Sequence, residues 1–336
     1  MQPQLIDRTS EVPQTMLAAV LVEPRRFEVQ TIATPQPKQG EILVKLEGCG
    51  VCASNIPPFE GREWFKYPME PGGLGHEGWG HIAALGEGVE NLNVGDRVAV
   101  LSQHAYAEYD TVEATSAVKL PRSLDGKPFP GEPLGCALNI FKRSGIKPGD
   151  TVAIAGIGFL GCLLTQMASA AGAHVLAVAR RQFALNTAKQ MGAEVTIPMD
   201  DHGRILGQVK DLTGGRFCDV VIECVGKQWP LDLSAEMTRE RGRLIVAGYH
   251  QDGLRQVNMQ LWNWRGIDVI NAHEREMQVY IDGIREAVSL VDQGKLNPFP
   301  LYTHTYPLSR LGEALEATIE RPNGFMKALV SMEAEH

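Results

Sequence analysis

Between Asp150 and Arg180 the sequence carries no formally charged side chain. A stretch of that length without charge raises the question of a membrane helix. Glycines at 156, 158, 161 and 172 and β-type apolar runs at either end break the stretch up, so a bilayer-spanning helix is excluded. A basic excess is also lacking. Lys and Arg number 32 against 40 Asp and Glu, a net charge of −8 with a pI near 5.6, which argues against nucleic acid or an anionic membrane as partner. Cysteine is sparse, six in 336 residues, and three of the six fall within or beside expected buried strands, so no disulfide framework is expected. The first residues lack the basic-then-apolar pattern of a secretory leader, and the expected setting is a reducing cytoplasm. There is no internal repeat and no low-complexity tract.

What is present suits two domains, each long enough to bury its own core. Residues 1–14 read as polar and loosely held. From Met16 to about Lys119, short apolar runs alternate with Gly, Pro and acidic turns, the pattern of a compact, mainly β, barrel-like domain. From Asn139 to Glu276 strands and helices alternate. Strands are expected at 151–156, 175–179, 194–197, 219–225, 243–248 and 267–271, which suits a doubly wound parallel sheet. The remainder holds an amphipathic helix from Tyr280 to Gln293, another near Leu308 to Glu320, and a strand at 327–331 that returns to the first domain. The expected organisation is therefore α/β, with a mainly β domain over 1–138 and 277–336 and a dinucleotide-binding domain over 139–276.

The second domain is organised around Thr151 to Arg181. An apolar strand runs into Gly156-Ile157-Gly158-Phe159-Leu160-Gly161, a helix follows, and Val175 to Ala179 forms a second strand. The glycines allow a tight turn, close approach of backbone to a diphosphate, and close helix–strand packing, while the helix N-terminus aims unpaired N–H groups at the phosphates. Phe159 and Leu160 within the turn, and Val225 at the end of the strand at 219–225, are counted with the cofactor site. An NAD site usually has Asp or Glu at the end of the second strand, to accept from the ribose hydroxyls. Here Ala179 stands there, followed by Arg180 and Arg181. A missing carboxylate removes repulsion against a 2′-phosphate, and a guanidinium can grip one, so NADP is expected, with NAD as the alternative.

In the first domain the informative segment is Gly48-Cys49-Gly50-Val51-Cys52-Ala53-Ser54-Asn55, followed by Gly75-His76-Glu77-Gly78. A thiolate, an imidazole and carboxylates are ligand types that suit zinc. Cys52 and His76 sit in glycine-rich turns rather than on strand faces. These motifs, with Gly86-Glu-Gly-Val-Glu-Asn-Leu-Asn-Val-Gly-Asp-Arg-Val, Glu132-Pro-Leu and the Gly156 turn, occur in one order over about residues 16–332. As a set the chain resembles the medium-chain zinc-dependent dehydrogenases, the alcohol, polyol and threonine dehydrogenase relatives.

That resemblance implies a GroES-like catalytic domain beside a Rossmann domain, and a homodimer or homotetramer. It implies catalytic roles for Cys52, Ser54, His76 and Glu77. Cys52, His76 and Glu132 would hold one catalytic zinc, Glu77 would exchange onto it, and Ser54 would pass the substrate proton outward. Glu132 is preferred as third ligand over Cys136, four residues on, which otherwise reads as a packing residue near the nicotinamide. A zinc-bound alcohol loses its proton more readily than a free one, and hydride then passes to the nicotinamide. The sequence departs from the family in three places. Asn55 stands where an aspartate usually orients the histidine ligand, which lowers the expected zinc affinity. Leu101 to Glu108 contains no cysteine, so no structural zinc is expected. Pro57 replaces a relay histidine found in some alcohol dehydrogenases.

Further expectations follow residue by residue. His104 and Tyr106 could line the substrate cleft, and His273-Glu274-Arg275 could reach its mouth. Trp79 reads as core, and buried aromatics are expected at Trp262 and Trp264, where relatives pair edge strands across a dimer. Lys327 reads as a solvated charge or a contact to a cofactor phosphate. The leading expectation is a zinc-dependent oxidoreductase interconverting a secondary alcohol, such as a polyol, sugar or cyclitol, and its ketone. The alternatives weighed are a zinc-free quinone or enoyl reductase of the same superfamily, a silent NADP-binding sensor or scaffold, and, more distantly, a methyltransferase. Cys52, His76 and Glu132 together argue against the zinc-free reading.

Overall fold

A computed structural model describes residues 12–332, so the expectation for residues 1–11 lies outside the described residues. The chain divides into two compact units, 1–132 with 302–336, and 133–301.

The first unit is mainly β. Strands β1 (Thr15–Glu23) and β2 (Arg26–Ala33) form an antiparallel hairpin. Strand β3 (Glu41–Gly50) is the hub: it pairs antiparallel with β4 (Glu77–Leu85) and with β6 (Tyr109–Glu113). Strand β5 (Arg97–Leu101) joins β4 to β7 (Ala117–Lys119). Leu43, Val44, Ile82, Val98 and Val100 are almost wholly buried here. Strand β3 ends in Gly48-Cys49-Gly50 because two close approaches leave no room for side chains. A Cβ on Gly48 would lie 2.5 Å from the Trp79 ring, and one on Gly50 would lie 1.8 Å from Oε2 of Glu77. Trp79 is core, 4% exposed, as the sequence implies.

The second unit carries β8 (Thr151–Ala155), β9 (His174–Ala179), β10 (Val195–Pro198), β11 (Cys218–Glu223), β12 (Thr238–Val246) and β13 (Asp268–Asn271). They form one parallel sheet in the order β10-β9-β8-β11-β12-β13. Strands β8 and β9 bury nearly every residue rather than alternate ones. Uniform burial is what a parallel strand covered by helices on both faces requires. The order reverses beside β8, the switch point at which such sheets bind ligands.

Beyond β13 the chain differs from the sequence-based division. The helix Met277–Asp292 groups with the second unit, and the return to the first comes only at residue 302. Its cause is a glycine contact: a Cβ on Gly283 would lie 3.0 Å from the Gly135 carbonyl oxygen, and one on Gly135 would lie 2.9 Å from the Ile284 backbone nitrogen. The helices Gly131–Ser144 and Met277–Asp292 thus pack backbone to backbone. Strand β14 (Tyr302–Pro307) then runs parallel to β15 (Lys327–Ser331), which pairs antiparallel with β3. The two tryptophans expected to be buried near β13 have different surroundings within a single chain. Trp262 packs against the core of the second unit, but Trp264, on the helix Met259–Arg265, is 85% exposed.

Candidate metal centre

Three segments of the first unit converge on one point. Cys52 follows the end of β3, where the Val51 backbone nitrogen donates to the Ala328 carbonyl at 3.0 Å. It then caps the short 3-10 turn Ala53–Asn55, which also holds Ser54. His76 ends the turn Gly72-Gly73-Leu74-Gly75, in which Gly72 and Leu74 are left-handed, φ +75 and +75. Gly75 has no alternative there, because its Cβ would lie 2.4 Å from the Tyr106 backbone nitrogen. Glu77 opens β4 with its side chain turned inward over Gly50, and is fully buried.

The donor atoms of Cys52, His76 and Glu77 lie within 4.8 Å of one another, the one such group found among the described residues. Nδ1 of His76 lies 2.9 Å from the Leu74 carbonyl oxygen. That oxygen can only accept, so Nδ1 carries a proton, and Nε2 is the nitrogen left for a metal, which would displace any proton there. Burial alone would lower the His76 pKa. Its hydrogen bond and charge interaction with Cys52, with the carboxylates of Glu132 and Glu77, outweigh that and raise it to about 10. Glu132, in the first turn of Gly131–Ser144, is raised to about 7, because burial and Glu77 outweigh His76 and Lys327. Anionic groups thus crowd a desolvated spot, and a thiolate, an imidazole and carboxylates are a donor set that fits zinc.

The structure brings Cys52, His76 and Glu77 into one set. Glu132 interacts with it electrostatically but is not one of the three mutually close donors. Cys136 belongs to the second unit. Among the described residues, Asn55 does not hydrogen-bond the imidazole: its Nδ2 donates at 3.0 Å to the Leu74 carbonyl instead. Tyr106 lines no cleft, being wholly buried behind the site. His104 is paired with Glu70 at 2.9 Å on the surface.

The residue that sequence reasoning misjudged as a solvated charge is Lys327. It is 5% exposed, its Nζ donates to Glu77 Oε1 at 2.8 Å and to the Val51 carbonyl at 3.1 Å, and it lies 2.6 Å from Glu77 Oε2. The register Leu329↔Gly50 of β15 and β3, continued by two residues, sets Lys327 opposite Cys52. A lysine at the head of an otherwise apolar strand was the available signal.

In the second unit, Gly156 is left-handed at φ +100, and its Cβ would lie 2.5 Å from Cγ2 of Val225. A Cβ on Gly161 would lie 2.2 Å from the Gly156 carbonyl oxygen, while one on Gly158 would meet nothing within 4 Å. Gly158 caps the helix Phe159–Ala170 without a side-chain hydrogen bond, so the first turn, with Phe159 and Leu160, keeps N–H groups available for a diphosphate. Ala179 is buried at the end of β9, Arg180 is exposed, and Arg181 is half-buried at the start of the next helix. Sequence reasoning overlooked Glu223 at the end of β11, which accepts from the Val225 and Gly226 backbone nitrogens at 2.7 and 2.8 Å and lies 2.9 Å from His250 Nε2.

Comparison with known proteins agrees with both halves. Residues 38–122 match the alcohol dehydrogenase GroES-like domain, and residues 160–290 match the zinc-binding dehydrogenase family. An alcohol dehydrogenase of Geobacillus stearothermophilus is 34% identical over 69% of this chain and 77% of its own. The chain belongs to the zinc-dependent medium-chain dehydrogenases. This dehydrogenase is also 29% identical to a sorbitol dehydrogenase of Halalkalibacterium halodurans, over 87% of this chain and 92% of that one. The structure of a candidate zinc-binding dehydrogenase from Sinorhizobium meliloti, bound to NADP, superposes with a TM-score of 0.81 at 25% identity, over 95% of this chain and 100% of that one. The dehydrogenase is thus an alcohol dehydrogenase-like oxidoreductase of small-molecule alcohols, using zinc and a nicotinamide cofactor.

Proposed function

We propose that this dehydrogenase interconverts a polyhydroxylated secondary alcohol and its ketone with NADP(H), at a single zinc held by Cys52, His76 and a carboxylate. The observation that carries the reading is the convergence of Cys52, His76 and Glu77 within 4.8 Å. Glu132 supplies the resting third ligand and Glu77 the exchanging one. Zinc, when bound, supplies a Lewis acid that makes an alcohol proton more acidic. His76 offers Nε2 because Leu74 holds the proton on Nδ1. Lys327 holds Glu77 in place and offsets part of the anionic charge of the site. Ser54, in the Cys52 turn, receives the substrate proton and passes it outward.

NADP is supported by Ala179 in place of a ribose-binding carboxylate and by the exposed Arg180 beside it. A polyol is supported by the carboxylate-rich donor set and by the sorbitol dehydrogenase relative. A homodimer or homotetramer is supported by β13, the edge of its sheet, with Trp264 exposed on the preceding helix. A reducing cytoplasm is supported by the six cysteines, all among the described residues and none in a disulfide.

The test is metal analysis of purified protein alongside titration with NADPH and NADH, followed by turnover on a panel of sugar alcohols and simple secondary alcohols. About one zinc per chain, lost in Cys52→Ala, with tighter NADPH binding and a preference for polyols, is expected. Folded protein that binds NADPH but no zinc would overturn the mechanism, and turnover of simple alcohols alone would overturn the substrate class.

A further inference from the structure

Three buried polar groups stand behind Cys52 and His76 without belonging to the donor set. They are the Asn55 amide, the Tyr106 hydroxyl and the Leu74 carbonyl. Asn55 is 2% exposed and Tyr106 is fully buried. The Leu74 oxygen accepts twice, from Asn55 Nδ2 at 3.0 Å and from His76 Nδ1 at 2.9 Å. On its other side Asn55 presents Oδ1 to the Tyr106 hydroxyl at 3.0 Å and to the Cys52 backbone nitrogen at 3.4 Å. The Tyr106 hydroxyl also faces the Gly50 carbonyl oxygen, at 3.2 Å.

The amide orientation is fixed by its neighbours. A backbone carbonyl can only accept and a backbone N–H can only donate, so Nδ2 must face Leu74 and Oδ1 must face Cys52. One side chain thereby joins both zinc-ligand segments. It meets the Cys52 backbone directly, and it meets His76 through the carbonyl that fixes the ring's tautomer. Leu74 needs such an anchor, because a φ of +75 is unfavourable for a residue with a side chain of that size.

Tyr106 is itself held against the same turn. Its backbone nitrogen donates to the Gly72 carbonyl at 3.1 Å, and that of Ala105 donates to the Gly75 carbonyl at 3.0 Å. The start of the loop is fixed by Ser102, which accepts from the His104 backbone nitrogen at 3.0 Å and donates to the buried Asp110. The segment after β5 therefore braces the turn that carries His76.

We propose that Asn55 is the positioning residue of the metal centre, and that the Tyr106–Asn55 pair, acting through the Leu74 carbonyl, sets the tautomer and direction of His76. The role rests on the zinc reading given above. It makes the amide, rather than a carboxylate, the required group at this position. Aspartate has nearly the same shape, but it would set an acceptor 3.0 Å from the Leu74 oxygen, another acceptor, with no proton between them. The residue usual in the family would therefore damage this site.

The test uses cobalt(II) as the probe in the purified full-length protein. Visible absorption reports the ligand field and the thiolate bond, release to an excess of chelator reports how firmly the metal is held, and melting of the metal-free protein reports the fold. Asn55→Asp and Tyr106→Phe are each expected to release cobalt about ten- to a hundredfold faster than wild type and to shift the visible bands. If Asn55→Asp does not fold, Tyr106→Phe poses the same question, since it removes one oxygen from a buried ring. Variants that hold cobalt as wild type does, with unchanged spectra, would overturn the role while leaving the zinc site intact. A wild-type protein that takes up no cobalt would overturn the zinc reading itself.

Discussion

Lys327 and Glu77, 250 positions apart in sequence, form an ion pair with side chains only 5% and 1% exposed, at the edge of the three-donor group. Burial by itself would lower the Lys327 pKa, but Glu77, Cys52 and Glu132 together raise it, so the lysine stays charged. Two charges removed from water in this way cost as much as they return, but removing one of them leaves the other stranded. Lys327→Met is expected to destabilise the protein by about 3–5 kcal/mol, measured by urea unfolding of the metal-free form. Adding Glu77→Gln to that variant is expected to restore part of the loss. A single variant as stable as wild type would show that loss of the lysine does not leave Glu77 stranded as an unpaired buried charge.

Gly158 and Gly161 stand three residues apart in one turn and separate two uses of glycine. Gly158 has φ −103, open to any residue, and its Cβ would meet nothing, so its purpose is room for something outside the chain. Gly161 has no room at all, with a Cβ only 2.2 Å from the Gly156 oxygen. Gly158→Ala is expected to keep stability within about 0.5 kcal/mol while weakening dinucleotide binding, read by quenching or calorimetry. Gly161→Ala is expected to lose about 1–3 kcal/mol of stability and cofactor binding together. Unchanged affinity in Gly158→Ala would mean that the diphosphate does not lie against this backbone.

Arg180 and Arg181 are adjacent in sequence but differ in surroundings. Arg180 is exposed beyond β9, whereas Arg181 is half-buried, its pKa lowered by burial, with Cys162 acting against that and Arg180 adding to it. Only the first is poised to meet a 2′-phosphate without rearrangement. Arg180→Ala is expected to weaken NADPH about ten- to a hundredfold, the worth of a charge-assisted hydrogen bond or two, while leaving NADH within about twofold. Equal losses for both cofactors would assign Arg180 to the shared part of the dinucleotide.

The parts that could be read from sequence are those whose signal is local. The apolar stretches 152–155, 175–179 and 220–222 mark covered parallel strands, and the glycines after β8 mark the turn, because each needs only its neighbours in sequence to make sense. Cys52, His76 and Glu77 stood out because few jobs need those side chains in glycine-rich turns. What could not be read depends on partners distant in the chain. Nothing around Lys327 announces a carboxylate 250 residues earlier, and nothing in helix 277–292 announces that Gly283 will meet Gly135. Asn55 was legible as a departure, but its partner was not, since the Leu74 carbonyl reaches it only through a left-handed turn.

Arg97 and Glu47 give the first unit a pH dependence whose sign can be worked out. Arg97 is buried and donates to both Glu47 oxygens as well as to the Leu124 and Lys127 carbonyls at 2.7 Å each. Burial alone would raise the Glu47 pKa, but the hydrogen bonds and charge of Arg97, aided by His81, bring it below its ordinary 4.5. A carboxyl group depressed on folding contributes stability that is fully present above its unfolded value. That contribution is lost as pH falls through the folded one. Glu47→Gln is therefore expected to lower stability by about 1–3 kcal/mol at neutral pH, with the gap from wild type closing progressively below pH 4.5. Melting temperatures of the two proteins across pH 3–7 check this. A gap that stayed constant over that range would mean that the lost contact is one of shape and hydrogen bonding, with no contribution from the charge on Glu47.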